Sequence, residues 1–185
     1  MPGPKDVVVF TNCENVEVRL NDRLVQTLER DQFNDGVIRL KVPFEQGELV
    51  AHAFYRDETG EMRQVSDTLA SAHNPYTLFM QADRDQVSSN GQEVVHITTS
   101  VVDSTGVINP HSDHMVNYEV EGPGKIRVID NGDLADHTPY GSTSRKVKYG
   151  KQLLILQAGT EPGDLIVNAS AEGLHSSKVK IKSKD

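Results

Sequence analysis

The sequence predicts an all-β protein made of two tandem β-sandwiches, and three observations carry that expectation. Apolar and polar residues alternate with period two along most of the chain, while the 3.6-residue period of helices is almost absent. Turn signals recur between the alternating runs, at Asp35-Gly36, Gly47, Asn90-Gly91, Asp103-Ser-Thr-Gly106, Asn131-Gly132, Gly150 and Pro162-Gly163. Short strands separated at this spacing are the signature of antiparallel sandwiches. A short internal echo then suggests that the pattern is completed twice.

The elements follow in chain order. Met1-Pro-Gly-Pro4 reads as a linker. Val8-Val-Phe10 is a short apolar strand, and Val16-Glu-Val-Arg-Leu20 and Ile38-Arg-Leu-Lys-Val42 each send apolar side chains to one face, as half-buried strands require. Pro43-Phe-Glu-Gln-Gly-Glu-Leu-Val-Ala-His-Ala53, the turn Asp57-Glu-Thr-Gly60 and the run from Met62 to Leu69 form a closing hairpin. Small residues and a proline interrupt the pattern over residues 70–76, which places the boundary there and gives domains of residues 1–72 and 73–185. Beyond it, strands are expected over residues 77–83, Val94–Val102, Val116-Asn-Tyr-Glu-Val120 and Ile126-Arg-Val128. Residues 133–144 hold no strand pattern and read as a long crossover. Glu161-Pro-Gly-Asp-Leu-Ile-Val-Asn-Ala-Ser-Ala171, with Glu172-Gly173 and Lys178 to Lys182, repeats the closing hairpin, and Leu165, Val167 and Ala169 are expected to face the core.

Composition narrows the classes of function. The chain has 185 residues, enough for two small cores, and 27 acids against 19 bases leave a net charge of −8. That balance disfavours nucleic acid and anionic membranes, which need clustered cations. The one basic cluster, Lys178, Lys180, Lys182 and Lys184, alternates with apolar residues and reads as the solvated face of a strand, guarding an edge. Cys13 is alone, so no intrachain disulfide forms. No leader and no apolar run of membrane-spanning length is seen in these residues.

Two stretches resemble known modules. Val8-Val-Phe-Thr-Asn-Cys-Glu-Asn-Val-Glu-Val-Arg-Leu-Asn21 resembles the opening of the penultimate sandwich of glycoside hydrolase family 2, the β-galactosidase family. It departs from the usual pattern at Val18, where Leu is usual, and at Asp22, where the hairpin usually has Gly. Gly122-Pro-Gly-Lys-Ile-Arg-Val-Ile-Asp-Asn-Gly-Asp133, Ser144-Arg-Lys146 and Gly163-Asp-Leu-Ile-Val-Asn-Ala-Ser-Ala-Glu-Gly-Leu174 resemble the last sandwich of the same enzymes. The resemblance covers nearly the whole chain and implies immunoglobulin-like domains at the C-terminal end of a bacterial enzyme. It implies further that the two catalytic glutamates lie on an upstream (β/α)₈ barrel, and that this barrel is the partner in cis. For that parent, a periplasmic or extracellular location is the expectation.

Candidate sites were weighed residue by residue. His111-Ser-Asp-His114 offers imidazoles and a carboxylate, a zinc combination, but follows Asn109-Pro110 in a loop with no further ligand spacing. Asp130-Asn-Gly-Asp133 and Asp136 offer clustered oxygens, yet Gly141 stands where a calcium loop needs its twelfth-position Glu, so a tight turn is expected. A retaining glycosidase needs two carboxylates about 5 Å apart, and nothing singles out such a pair. No Gly-x-Ser-x-Gly elbow is present. Tyr55, Tyr76, Tyr140 and Tyr149 are the candidate sugar-stacking rings, with a partly buried packing role expected for each; Trp is absent. Asn168-Ala-Ser170 is a formal glycosylation sequon inside a strand. No catalytic, cofactor or metal residue is therefore expected, and no cofactor. The expected role is that of accessory, structural domains of a family 2 glycoside hydrolase. The rival readings are a carbohydrate-binding module, which the absence of Trp opposes, and the stalk of a bacterial adhesin. Residues 8–21 oppose the stalk, because they resemble the hydrolase module.

Overall fold

The computed structural model describes residues 3–33 and 35–185, and the fold is all-β. The chain divides into two compact units, Met1–Ser71 and Ala72–Asp185. Among the described residues the only helix is one 3₁₀ turn, Arg30–Gln32.

The first unit contains β1 (Lys5–Phe10), β2 (Asn15–Leu20), β3 (Arg23–Glu29), β4 (Val37–Val42), β5 (Glu48–Arg56) and β6 (Met62–Ala70). Among the described residues, β1 and β4 pair as a small antiparallel sheet, and β3-β2-β5-β6 form a larger one. Alternation decides what is buried. Val16, Val18 and Leu20 of β2 meet Ile38, Leu40 and Val42 of β4, and Cys13, Phe33 and Ala53 join them. The β2–β3 hairpin turns through Asn21 and Asp22, both at positive φ (49° and 63°), which is type I′ geometry that Asp tolerates in place of Gly. Asn21 also fastens the turn to the entry of β5: its Oδ1 accepts from the Glu48 amide at 2.9 Å and its Nδ2 donates to the Gln46 carbonyl at 3.1 Å. Gly47 is at φ 135°, and any Cβ there would overlap that Asn21 amide.

The second unit contains β7 (Thr77–Ala82), β8 (Gln86–Ser88), β9 (Val94–Val102), β10 (Met115–Glu121), β11 (Gly124–Asp130), β12 (Ser144–Lys146), β13 (Lys151–Ala158), β14 (Gly163–Ser170) and β15 (Ser177–Lys184). Among the described residues they form two facing sheets, β12-β10-β14-β15-β8 and β11-β13-β9-β7. Their inner faces share one core, in which Leu165, Val167 and Ala169 of β14 pack with Ile97 of β9 and Leu154 and Leu156 of β13, all fully or almost fully buried. A polar tie crosses this core. Gln152 of β13 donates to the Tyr118 hydroxyl of β10 at 2.7 Å, and that hydroxyl donates to Thr99 of β9 at 2.7 Å. Burial pushes the Tyr118 phenol up to about 12, so it remains a neutral donor.

The chain changes sheets between β10 and β11 at Gly122, where a side chain would run into the Asp164 carbonyl. It changes back between β11 and β12, through the crossover expected at residues 133–144.

Several expectations need amendment. β3, β8, β12 and β13 carry no clear alternating signal and went unforeseen. The Lys178–Lys184 series does line one exposed face of β15, but that strand is not the edge: β8 pairs with it in parallel through Lys182, Ser183 and Lys184. The lysines instead form cross-strand contacts, Lys180 with Asp164 at 2.7 Å and Lys184 with Gln86 at 2.8 Å. Met1 and Pro2 of the linker reading lie outside the described residues.

The register of β14 yields the first testable outcome. Leu165 is fully buried between the sheets, whereas Asn168 points outward to Glu121. Leu165→Ala is expected to destabilise the second unit by about 2–5 kcal/mol, and Asn168→Ala by about 0.5 kcal/mol or less. Urea midpoints of the two variants check this, and a larger loss for Asn168→Ala would contradict the register.

Candidate functional site

A dense polar assembly surrounds Arg145, at the end of the second unit where the crossover rejoins its sheet. Arg145 sits on β12 opposite Val116 of β10, and directly opposite residues in an antiparallel pair share a face. Its side chain therefore enters a position that alternation reserves for an apolar group, and it is almost wholly buried. A buried guanidinium needs acceptors, and the chain from Asp130 to Thr138 supplies them to both Nη atoms, while Nε finds none among the described residues. Nη2 donates to the Thr138 carbonyl, Nη1 lies 3.5 Å from Asp130 and 3.8 Å from Asp136, and the guanidinium stands 5.1 Å from the Tyr140 ring centroid.

The acidic residues of the crossover are shaped by their own backbone. Asp130 Oδ1 accepts from the Gly132 amide, Asn131 Oδ1 from Asp133, Asp133 Oδ1 from Ala135 and Asp136 Oδ1 from Thr138, at 2.8–3.1 Å. Four consecutive Asx turns thus coil residues 130–138 without any regular element. Gly132 provides the positive φ, 72°, of this coil. Remaining oxygens meet cations or amides: Asp133 Oδ2 pairs with Lys148 at 2.9 Å, and Asp136 Oδ2 accepts from Asn131 Nδ2 at 2.8 Å. The Thr138 side chain and amide hold Asp136 below its usual carboxylate range, and the Lys148 ammonium does the same for Asp133. Lys148 is raised in return. Oxygens directed at backbone amides and ammonium groups act as acceptors in a folded loop rather than as an open cation cage.

The loop at residues 111–114 is joined to the same end. Lys146 reaches Asp113 at 3.2 Å, its carbonyl accepts from Asn131 at 2.9 Å, and the Val147 amide donates to the His114 carbonyl at 3.0 Å. The two sequence candidates, His111–His114 and Asp130–Asp136, are thus brought to opposite sides of β12. His114 Nδ1 is engaged with the buried Ser112 hydroxyl at 2.8 Å. Among the described residues no group of three or more His, Cys, Asp or Glu stands close enough to share a metal ion.

A second polar device appears once in each unit. Asp103 accepts at Oδ1 from the Thr105 amide and hydroxyl and from the Val107 amide, and Gly106 closes the turn at positive φ. Asp57 does the same with Thr59, Glu61 and Gly60. The fourth contact differs. Asp57 Oδ2 takes Arg63 at 2.7 Å, while Asp103 Oδ2 takes the His73 amide at 2.8 Å. Asn109 Nδ2 donates to the His73 carbonyl at 2.7 Å, so His73, at the start of the second unit, is held through both its amide and its carbonyl. The Thr59 hydroxyl and Arg63 lower Asp57 to about 2, and the His73 amide and Thr105 hydroxyl hold Asp103 lower still.

Tyr55 and Tyr76 are partly covered, keeping 37% and 49% of their surface, whereas Tyr140 and Tyr149, at 60% and 71%, are exposed rather than packed. Their rings meet polar neighbours instead: Tyr76 tilts against His175 at 4.6 Å, Tyr140 against Arg145, and Tyr149 against Lys148 at 5.3 Å. The sequon Asn168-Ala-Ser170 lies within β14, and the Asn168 amide donates to Glu121 at 2.8 Å. Sequence reasoning missed Arg145 and the Asp103–Asn109 clasp. The Asp-x-Thr-Gly turn, present at residues 57–60 and 103–106, was the available signal for the latter.

The comparisons with known proteins say to what these units belong. The chain belongs to glycoside hydrolase family 2: residues 78–180 match the model of that family's C-terminal domain 5. Residues 3–59 match a second model, a domain of unknown function (DUF4982). A β-galactosidase of Bacteroides ovatus is 27% identical over 176 residues, covering 95% of this chain and 20% of its own length. One of Thermoanaerobacter pseudethanolicus is 24% identical over 195 residues, 96% of this chain and 24% of the relative. A crystal structure of a family 2 glycosyl hydrolase from Bacteroides cellulosilyticus superposes with TM-score 0.89 at 28% identity, over 97% of this chain and 23% of that one. The chain thus spans between a fifth and a quarter of these relatives and corresponds to their C-terminal accessory region.

Two outcomes test the clamps. Arg145→Ala is expected to lower the stability of the second unit by about 2–5 kcal/mol, because it opens a cavity at a buried position and releases the crossover from the sheet. Thermal unfolding measures it, and a loss under about 1 kcal/mol would contradict the assignment. For acid, the sign follows from the direction of the shifts. Asp57 and Asp103 both titrate lower in the folded chain than their ordinary value of 3.8, so their stabilisation is complete above that pH and drains away as pH falls towards 2. Asp103→Asn should flatten the acid limb of the second unit, and Asp57→Asn that of the first.

Proposed function

We propose that this chain is the non-catalytic C-terminal part of a longer β-galactosidase-type glycoside hydrolase, made of two immunoglobulin-like sandwiches, residues 1–72 and 73–185. Its role is to support the catalytic domain of the same polypeptide. The observation that carries this reading is coverage: 95% of the chain aligns with one fifth of a β-galactosidase, which leaves the chemistry to the other four fifths. The electrostatics agree. Retaining hydrolysis calls for a carboxylic acid whose pKa is raised beside a second carboxylate. Asp57, Asp103, Asp133 and Asp136 all shift the other way, each by donating partners that keep it ionised. These are fixed acceptors, suited to holding turns.

The charge of −8 favours a protein partner over nucleic acid or an anionic membrane. Among the described residues no helix is long and apolar enough to cross a membrane.

Assay of the purified chain and of the polypeptide encoded by the complete reading frame, both on a nitrophenyl β-galactoside, tests the proposal. Activity is expected only in the longer polypeptide. Hydrolysis by the 185-residue chain that survives a contamination control would overturn it, as would a reading frame with no catalytic domain.

A further inference from the structure

The first unit is an incomplete sandwich. Among the described residues its small sheet has two strands, β1 and β4, set against four in the other sheet. Consequently β6 has nothing over it, and all nine of its residues are exposed. The inner face of β5–β6 runs Leu49–Leu69, Ala51–Asp67 and Ala53–Val65 in register, and Leu69 keeps 64% of its surface. Between this face and β1 lies an open groove of roughly 340 Å³.

The geometry of the groove identifies what kind of group fits it. Val7, Val8, Val9 and Phe10 all line it, consecutively, and no residue of β4 does. Side chains alternate faces along a strand, so an unbroken run of lining residues means that an edge, not a face, borders the groove. This is the edge of β1 that β4 does not pair, and among the described residues no strand pairs with its backbone donors and acceptors. Six residues at about 3.3 Å each offer an edge on the order of 20 Å long. The usual safeguards of a free edge, such as a proline or an inward lysine, are absent from Val7 to Phe10, and Phe10 is 78% exposed. In the middle of the apolar inner face stands one carboxylate, Asp67, between Val65 and Leu69. Its Oδ1 accepts from the Thr68 amide, and among the described residues it forms no ion pair.

We propose that an extended segment from the remainder of the longer polypeptide pairs with the free edge of β1, completing the small sheet, and sets a basic side chain against Asp67. Alternate apolar side chains of that segment cover Val65 and Leu69. A strand is the occupant because the groove presents a backbone edge on one wall and a pleated apolar face on the other. The segment is basic at one position because a carboxylate removed from water needs a cationic partner. It comes from the same polypeptide because four fifths of the aligned β-galactosidase lie outside the matched region. The inference rests on the reading of the chain as part of a longer enzyme.

Amide exchange of the 185-residue chain and of the complete polypeptide, each wild type and Asp67→Lys, tests it. In the complete polypeptide, amides of Lys5–Phe10 that point away from β4 should exchange about 100-fold more slowly than in the shorter chain. Asp67→Lys should erase that protection while leaving the urea midpoint of the 185-residue chain unchanged. Equal exchange in both lengths would overturn the proposal, as would protection that survives Asp67→Lys. Protection that grows with protein concentration would mean a second copy fills the groove, and overturns it too. A complete polypeptide with glycosidase activity but a freely exchanging β1 refutes this inference alone; one without a catalytic domain refutes the functional reading beneath it.

Discussion

A single buried cation organises the second unit. Arg145 occupies a core register opposite Val116, where a hydrophobic side chain of similar volume would avoid the cost of desolvating a charge. That cost is offset only if acceptors converge on the guanidinium, and the segment that can bring them is the crossover, residues 131–143. Thirteen residues without regular structure would ordinarily be mobile. Here the Asx turns at Asp130, Asn131, Asp133 and Asp136 preform the loop, and Arg145 fixes it against the sheet. The Thr138 carbonyl, which a loop would otherwise give to water, becomes the acceptor for Nη2. The crossover and β12 are therefore one cooperative piece, and His111–His114 is attached to it through Lys146 and Val147.

The two units use the same physical vocabulary at different completeness. Each ends in an antiparallel hairpin whose inner face is built from small and aliphatic residues, Leu49, Ala51 and Ala53 in one and Leu165, Val167 and Ala169 in the other. Each has an Asp-x-Thr-Gly turn in which one carboxylate oxygen collects three donors. In the second unit two full sheets enclose that hairpin face. In the first unit the corresponding face is half covered, which is why Leu49 and Ala51 are only partly buried while Leu165 and Val167 are not accessible at all. A domain that leaves Val65 and Leu69 uncovered is suited to being packed against something else.

Much of this was legible in the sequence, for a reason that is physical rather than statistical. Strands with one wet and one dry face, such as β2, β4, β10 and β14, display period two because water is present on one side. β13 escaped because Leu153-Leu-Ile-Leu156 is apolar on both faces: Leu154 and Leu156 enter the core, and Leu153 and Ile155 are half covered on the outer side. β3 escaped for the opposite reason, being an edge strand with few buried residues and a bulge against β2. The lysine series on β15 showed which face is wet but not which strand is the neighbour, since β8 reaches it from far away in sequence. Of the polar sites, the turn character of Asp130–Asp136 followed from local chemistry. The role of Arg145 did not, because a Ser-Arg-Lys run looks solvent-facing until the pairing with Val116 turns the middle residue inward.

These observations describe a module in which ionised groups serve as fixed struts. The central claim is that Arg145 and the crossover carboxylates act as one unit. A double-mutant cycle of Arg145→Met and Asp136→Asn, read by urea unfolding of the second unit, tests it most directly. The account requires a coupling of about 1 kcal/mol or more between the two positions. Effects that add to within about 0.3 kcal/mol would show that the arginine and the loop are independent, and would contradict it.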